Sequence, residues 1–168
     1  FLEQGKVDEA LGAYQEALIY APQHPEVLYN RAYAYLMKGD LKQGFRDYEQ
    51  RFFLPNYPNR FPHVPFWDSS QTDNILLLHA EQGLGDTLQW IRYLPLVLKR
   101  CQRVLLECQA SLIPFIKTLH LPIEFFSQGD ILPHFDLHLP LFSLHVVFKT
   151  TLDTIPEITS FSLPRRLL

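Results

Sequence analysis

Ile75-Leu-Leu-Leu-His-Ala-Glu-Gln-Gly-Leu-Gly-Asp86 is the stretch on which the fold turns. Ile75 to Ala80 is a short, nearly continuous apolar run, the pattern of a parallel strand covered on both faces. Glu81 to Asp86 follows at once and carries two glycines, residues that let a backbone turn tightly and approach a ligand. From Asp86 the period becomes helical, with Leu88, Ile91, Leu94 and Leu98 on one face. Strand, glycine turn and helix make the opening βα unit of a doubly wound sheet, so the fold class read here is α/β with a Rossmann-like parallel sheet.

Two roles are open to Asp86. A carboxylate at a helix start is stabilised as an N-cap by about 1 kcal/mol. At the carboxyl end of a strand, where open sheets bind ligands, it is also a candidate general base. The same charge repels an anion, and the dinucleotide fingerprint G-x-G-x-x-G fails at Leu88. A nicotinamide or flavin site is therefore disfavoured, and no cofactor is expected. His79, seven residues before Asp86, either lines the same cleft or is a buried, hydrogen-bonded histidine. Glu81 and Gln82 either line the cleft or are satisfied by turn backbone. With Gly83, Leu84, Gly85 and Thr87 they form the expected substrate-binding stretch.

Downstream, Arg103–Cys108 reads as a second strand, Ala110–His120 as its crossover helix and Ile123–Phe126 as a third strand. Gln128-Gly-Asp130 reads as a turn, and Phe135–His138 as a fourth strand that Pro140 ends. Leu141–Lys149 reads as a loop with a short helix. Pro95 predicts a kink or an early end in the first helix. His134 and His138 are four apart, a zinc spacing on a helix, but Pro133, Pro140 and the strand-like pattern argue against a helix and so against a metal site. Nothing resembles a hydrolase triad or nucleophile elbow.

Upstream, Gly5, Val7, Ala10, Tyr14 and Leu18 recur as Gly39, Leu41, Gly44, Tyr48 and Phe52, each 34 residues on. Ala10 and Gly44 are the small residues where two helices come close, and Tyr14 and Tyr48 fill the space beside them. Val7–Tyr20 reads as a helix, Pro22 stops it, and Pro25 opens the next at its first turn. Glu26–Lys38 and Leu41–Phe52 read as the following pair, joined by a Gly39-Asp40 turn. Period and residue types resemble a tetratricopeptide array cut in mid-repeat; a generic helical hairpin is the plainer alternative. Residues 53–73 break the period. Four prolines in eleven residues (Pro55, Pro58, Pro62, Pro65), interleaved with Phe53, Tyr57, Phe61, Phe66 and Trp67, forbid a helix. They predict a linker packed along its neighbours, with a free tether as the alternative. The expected division is 1–52 repeats, 53–73 linker and 74–168 α/β lobe.

Composition narrows the function classes. With 47% hydrophobic and 20% charged residues the chain is globular in type. The net charge is −3 and no basic block exists, which argues against nucleic acid. No apolar run approaches the ~18 residues of a spanning helix. Cys101 and Cys108 are too few for a disulfide framework and read as buried thiols, in keeping with a cytoplasmic location. Length allows one domain with a helical appendage and not two full α/β lobes. With Phe1 first and half a repeat leading, the chain reads as a fragment of a longer protein.

Leu77-Leu-His-Ala-Glu-Gln-Gly-Leu-Gly-Asp-Thr-Leu-Gln-Trp-Ile-Arg-Tyr-Leu-Pro95 resembles the start of the glycosyltransferase-like domain in bacterial tetratricopeptide proteins. That domain is related to the O-linked N-acetylglucosamine transferases and the lipopolysaccharide heptosyltransferases. Asp47–Phe52, Phe66-Trp67-Asp68, Val104–Gln109, Phe135–Leu141 and Thr150–Pro156 are similar to the same family. The resemblance implies one lobe of a two-lobed GT-B architecture, with Asp86 as the base that deprotonates an acceptor hydroxyl. It also implies that a nucleotide-sugar donor binds mainly to a second lobe, which these residues do not include, so that this chain alone is inactive. The repeats would recruit a protein or peptide partner. The alternative is a non-catalytic interaction scaffold.

Overall fold

The computed structural model describes residues 1–157. The chain forms two compact units, the first built from Phe1–Arg60 with Phe148–Ile155 and the second on Phe61–Val147.

In the first unit three helices follow one another: α1 (Val7–Tyr20), α2 (Pro25–Met37) and α3 (Leu41–Tyr48). Pro25 stands in the first turn of α2, where its missing N–H costs nothing. Gly39, at φ +83°, makes the left-handed turn out of α2, and the Asp40 carboxylate caps α3 by accepting from Gln43 N at 3.1 Å. Ala10, Ala32 and Ala34 are buried at the helix crossings together with Gly44. These small residues let the axes approach. Asp47 in α3 is buried and accepts from Arg31 Nε of α2 at 2.7 Å. The pairing raises the Arg31 pKa further.

The expected helix to Phe52 stops as α-helix at Tyr48 and tightens into a 3-10 segment, Glu49–Phe53. The cause lies at Arg51. Its side chain is fully buried, donates to the Glu49 carboxylate and lies over the rings of Tyr48 and Phe52. Tightening brings Arg51 within reach of Glu49, two residues away.

The second unit is a four-stranded, all-parallel sheet in the order β3-β2-β1-β4. Its strands are β1 (Thr72–His79), β2 (Cys101–Cys108), β3 (Glu124–Ser127) and β4 (Leu137–Pro140). Leu76, Leu77 and Leu78 of β1 and Leu105 and Leu106 of β2 are completely buried, as a strand covered on both faces requires. Cys101 and Cys108 are buried thiols, each raised by burial to about 11. After β1 come α4 (Leu84–Trp90), a 3-10 turn and α5 (Leu94–Leu98). The break falls where Pro95 cannot donate. The crossover after β2 is shorter than expected: a 3-10 turn, then α6 (Ile113–Lys117), with Pro114 in its first turn. A short helix, α7 (Leu144–Val147), follows β4 after one 3-10 turn.

Part of the Pro/aromatic stretch belongs to this sheet. Trp67 N donates to His138 O at 2.9 Å and His138 N donates to Pro65 O at 3.1 Å, so residues 65–67 run parallel to β4 along its outer edge. Trp67 is buried and its indole N–H reaches Ser70 O at 2.9 Å.

Candidate functional site at the glycine loop

The loop from Ala80 to Gly83 leaves the carboxyl end of β1 and leads into α4, and its neighbours hold it in place. Ala80 N donates to Glu107 O at 2.8 Å, prolonging the β1–β2 ladder by one bond. Gln109, the residue after β2, donates its amide to Gln82 O at 2.7 Å and accepts from the Thr87 hydroxyl at 2.9 Å. Gln128, the residue after β3, donates to Ala80 O at 3.1 Å. Amides from two adjacent strand ends thus satisfy loop carbonyls that periodic structure leaves open. Neither glutamine was foreseen as a site residue. Each directly follows the last residue of its strand, a position that only the folded sheet reveals.

Asp86 does not stand at the N-cap. The helix begins two residues earlier, Gly83 is the N-cap and Asp86 is the third helical residue. Its Oδ2 reaches back to accept from Gly83 N at 3.1 Å, the return half of a capping box. A cap role is therefore met from inside the helix. Neither glycine adopts a left-handed conformation: Gly83 is extended at φ −69° and Gly85 lies within α4. What glycine supplies at 83 is clearance, because a Cβ there would sit 3.3 Å from Asp86 Oδ2. Over Gly85 the space is open, with nothing within 4 Å of where a Cβ would be.

Glu81, Gln82, Asp86 and Thr87 line one small recess with Trp90 and Phe142. Its volume is about 10 Å³, room for about one water. Gly83, Leu84 and Gly85 are exposed and do not line it. His79 does not line it either. It is buried, and its Nε2 lies 3.1 Å from His138 Nδ1. One imidazole donates and the other accepts. Phe61 stands edge-on to both rings at 5.4 and 5.2 Å, and Phe66 packs on His138 at 4.6 Å. His79 thus takes the buried, hydrogen-bonded alternative and brings the aromatic stretch onto the sheet. His134 lies apart from His138, exposed and 3.0 Å from Asp136. Among the described residues no group of three or more potential metal ligands occurs. No helix of the described residues is long and apolar enough to cross a membrane.

Compared with known proteins, residues 1–59 match the family model for the tetratricopeptide repeat. No curated protein and no solved structure matches the chain. The chain therefore contains a tetratricopeptide repeat segment at residues 1–59, followed by a parallel α/β sheet.

Proposed function

We propose that this chain joins a partner-recruiting repeat segment to the acceptor-side lobe of a glycosyltransferase-like domain, divided as 1–52, 53–73 and 74–168. The observation that carries the reading is Asp86. It is the third residue of α4, directly after the braced loop that leaves the inner strand β1 at its carboxyl end, with one oxygen tied to Gly83 N and the other without a protein partner. In the reaction the acceptor hydroxyl gives its proton to Asp86, and its oxygen bonds to the anomeric carbon. The bond from that carbon to the nucleotide phosphate breaks, and the nucleotide leaves with the electron pair. The donor's nucleotide belongs to a second lobe, so the chain alone binds no nucleotide-sugar tightly.

The test is Asp86→Asn in a protein that carries both lobes. Turnover should fall by roughly 10²- to 10⁴-fold, the usual worth of a positioned base, with an unchanged circular dichroism spectrum. Unchanged turnover removes the base. Micromolar binding of a nucleotide-sugar to the 168-residue chain removes the division of labour between lobes.

A second reading is a scaffold in which the α/β unit has no catalytic part. The observation favouring it is the size of the recess, which admits about one water and no sugar ring. Under that reading Asp86→Asn is silent, and partner capture through residues 1–59 is the whole activity.

A further inference from the structure

The repeat unit holds a far larger cavity than the glycine loop. A groove of about 650 Å³ runs between α1, α2 and α3, with Leu18, Leu28 and Phe53 as apolar wall and Arg31, Asp47 and Arg46 as its charged groups. Leu28 and Arg31 sit roughly on the other side of α2 from Tyr29 and Tyr33, so this groove is distinct from the tyrosine face, where Tyr57 O–H meets Tyr29.

Its donors are left over from folding. Arg31 carries five N–H groups. Only Nε is used, on Asp47, and both terminal nitrogens are without a protein partner. The side chain is 15% exposed and that of Asp47 4%, so the pair lies on the groove floor. Asp47 offsets Arg31, which leaves Arg46, exposed and without an ion pair, as the uncompensated charge. A planar guanidinium with free terminal nitrogens is the geometry that takes a carboxylate by two parallel bonds.

We propose that this groove binds an extended peptide segment in which a glutamate is flanked by bulky apolar side chains. The carboxylate meets Arg31 and Arg46, and the apolar neighbours cover Leu18, Leu28 and Phe53. Glutamate carries its carboxylate on two methylenes, away from the peptide backbone and toward the part-buried Arg31. A chain terminus would have to bury its last peptide group to reach the same place. The proposal rests on reading residues 1–59 as partner-binding repeats and adds the chemistry of the partner.

The test is fluorescence anisotropy with the full 168-residue chain and a fluorescein-labelled, amidated peptide Gly-Leu-Leu-Glu-Phe-Leu-Gly. Binding should saturate, weaken with salt and fall about tenfold or more when the peptide's Glu becomes Gln, as loss of a charged hydrogen-bond partner implies. Arg46→Glu, an exposed change that leaves the fold intact by circular dichroism, should do the same. Arg31→Lys keeps the charge and removes the fork, and should weaken binding as well. No binding, or equal binding of the Glu and Gln peptides, overturns the proposal. So does tighter binding of a Gln peptide with a free terminal carboxylate, or a dimer in sedimentation that Arg46→Glu dissociates. Binding that survives Arg46→Glu but is lost with Tyr33→Glu would move the partner to the tyrosine face. That result ends this proposal and leaves the partner-binding reading standing.

Discussion

Gly44→Ala should destabilise the repeat unit although alanine is the better helix former. A Cβ at position 44 would lie 2.6 Å from Leu36 Cδ2, 2.7 Å from Leu36 Cγ and 3.1 Å from Leu36 N. The first two distances are inside van der Waals contact. The third is to backbone, so rotating the leucine does not clear the site and α2 must move from α3. Overpacking of this kind costs roughly 1–3 kcal/mol, and contact with both a branch carbon and backbone places it in the upper half. Helix propensity returns about 1 kcal/mol. The net expectation is a loss of about 1–2 kcal/mol. Gly12 is the control, because it lies in α1 with nothing within 4 Å. Gly12→Ala should stabilise by up to about 1 kcal/mol, the propensity gain alone. On a Leu36→Ala background much of the clash is gone, so the penalty of Gly44→Ala should shrink or reverse in sign. Both tryptophans lie in the second unit, so the assay is urea unfolding followed at 222 nm, with hydrogen exchange of the α2 and α3 amides to isolate the helices. If Gly44→Ala stabilises the native background, or has one effect on both backgrounds, the close approach of the helices is refuted.

The other predictions are brief. Cys101 and Cys108 should resist a thiol reagent at pH 8 in the folded chain and react fully in urea, since each is buried and raised to about 11. The unfolded thiols ionise first, near 9.0, so stability should be lost as pH rises from 9 to 11. The double variant Cys101→Ala, Cys108→Ala should show a flatter profile there. Gln109→Ala should free Gln82 O, remove one partner of the Thr87 hydroxyl and speed hydrogen exchange across residues 81–86, leaving β1 protected; unchanged exchange there would mean the brace is idle. Asp47→Ala should cost roughly 3 kcal/mol in urea unfolding by leaving Arg31 unpaired at a mostly buried site.

Much of the architecture is legible because it follows from local periodicity. The 34-residue offset placed α1 at its observed ends, Val7 and Tyr20, and put a small residue at each helix crossing. Pro25 marked the start of α2, and the strand-like stretches marked the four parallel strands, although β4 runs Leu137–Pro140, two residues later than Phe135–His138 and with Pro140 inside it. What escaped depends on contacts between elements. The tightening after Tyr48 comes from burying Arg51, whose sequence position only says that it is charged. The crossover helix lost its first turn to Pro114 and its last residues to His120 at φ +52°. The glycine loop reads as ligand geometry in the sequence, whereas in the structure Gly83 gives clearance to the returning Asp86 carboxylate, which a Cβ would approach to 3.3 Å. Gln109 and Gln128 matter only because sheet order brings the ends of β2 and β3 to the loop, and no pattern along one strand carries that order.

The position of Asp86 turns the choice between cap and base into a clean comparison of substitutions. The cap uses Oδ2 as an acceptor from Gly83 N. An asparagine amide oxygen at the same place accepts that bond equally well in kind, so Asp86→Asn keeps the helix start and removes only proton uptake. Asp86→Ala removes both. If the residue is a cap alone, Asn resembles the native chain in every assay, and Ala costs stability of the order of 1 kcal/mol. If it is also the base, Asn matches the native chain in stability and Ala in turnover. The two roles do not compete for atoms, because the capping oxygen holds the carboxylate still while the second oxygen has no protein partner. Under the base reading the helix start fixes the carboxylate through Oδ2, and the second oxygen is the one that takes the acceptor's proton.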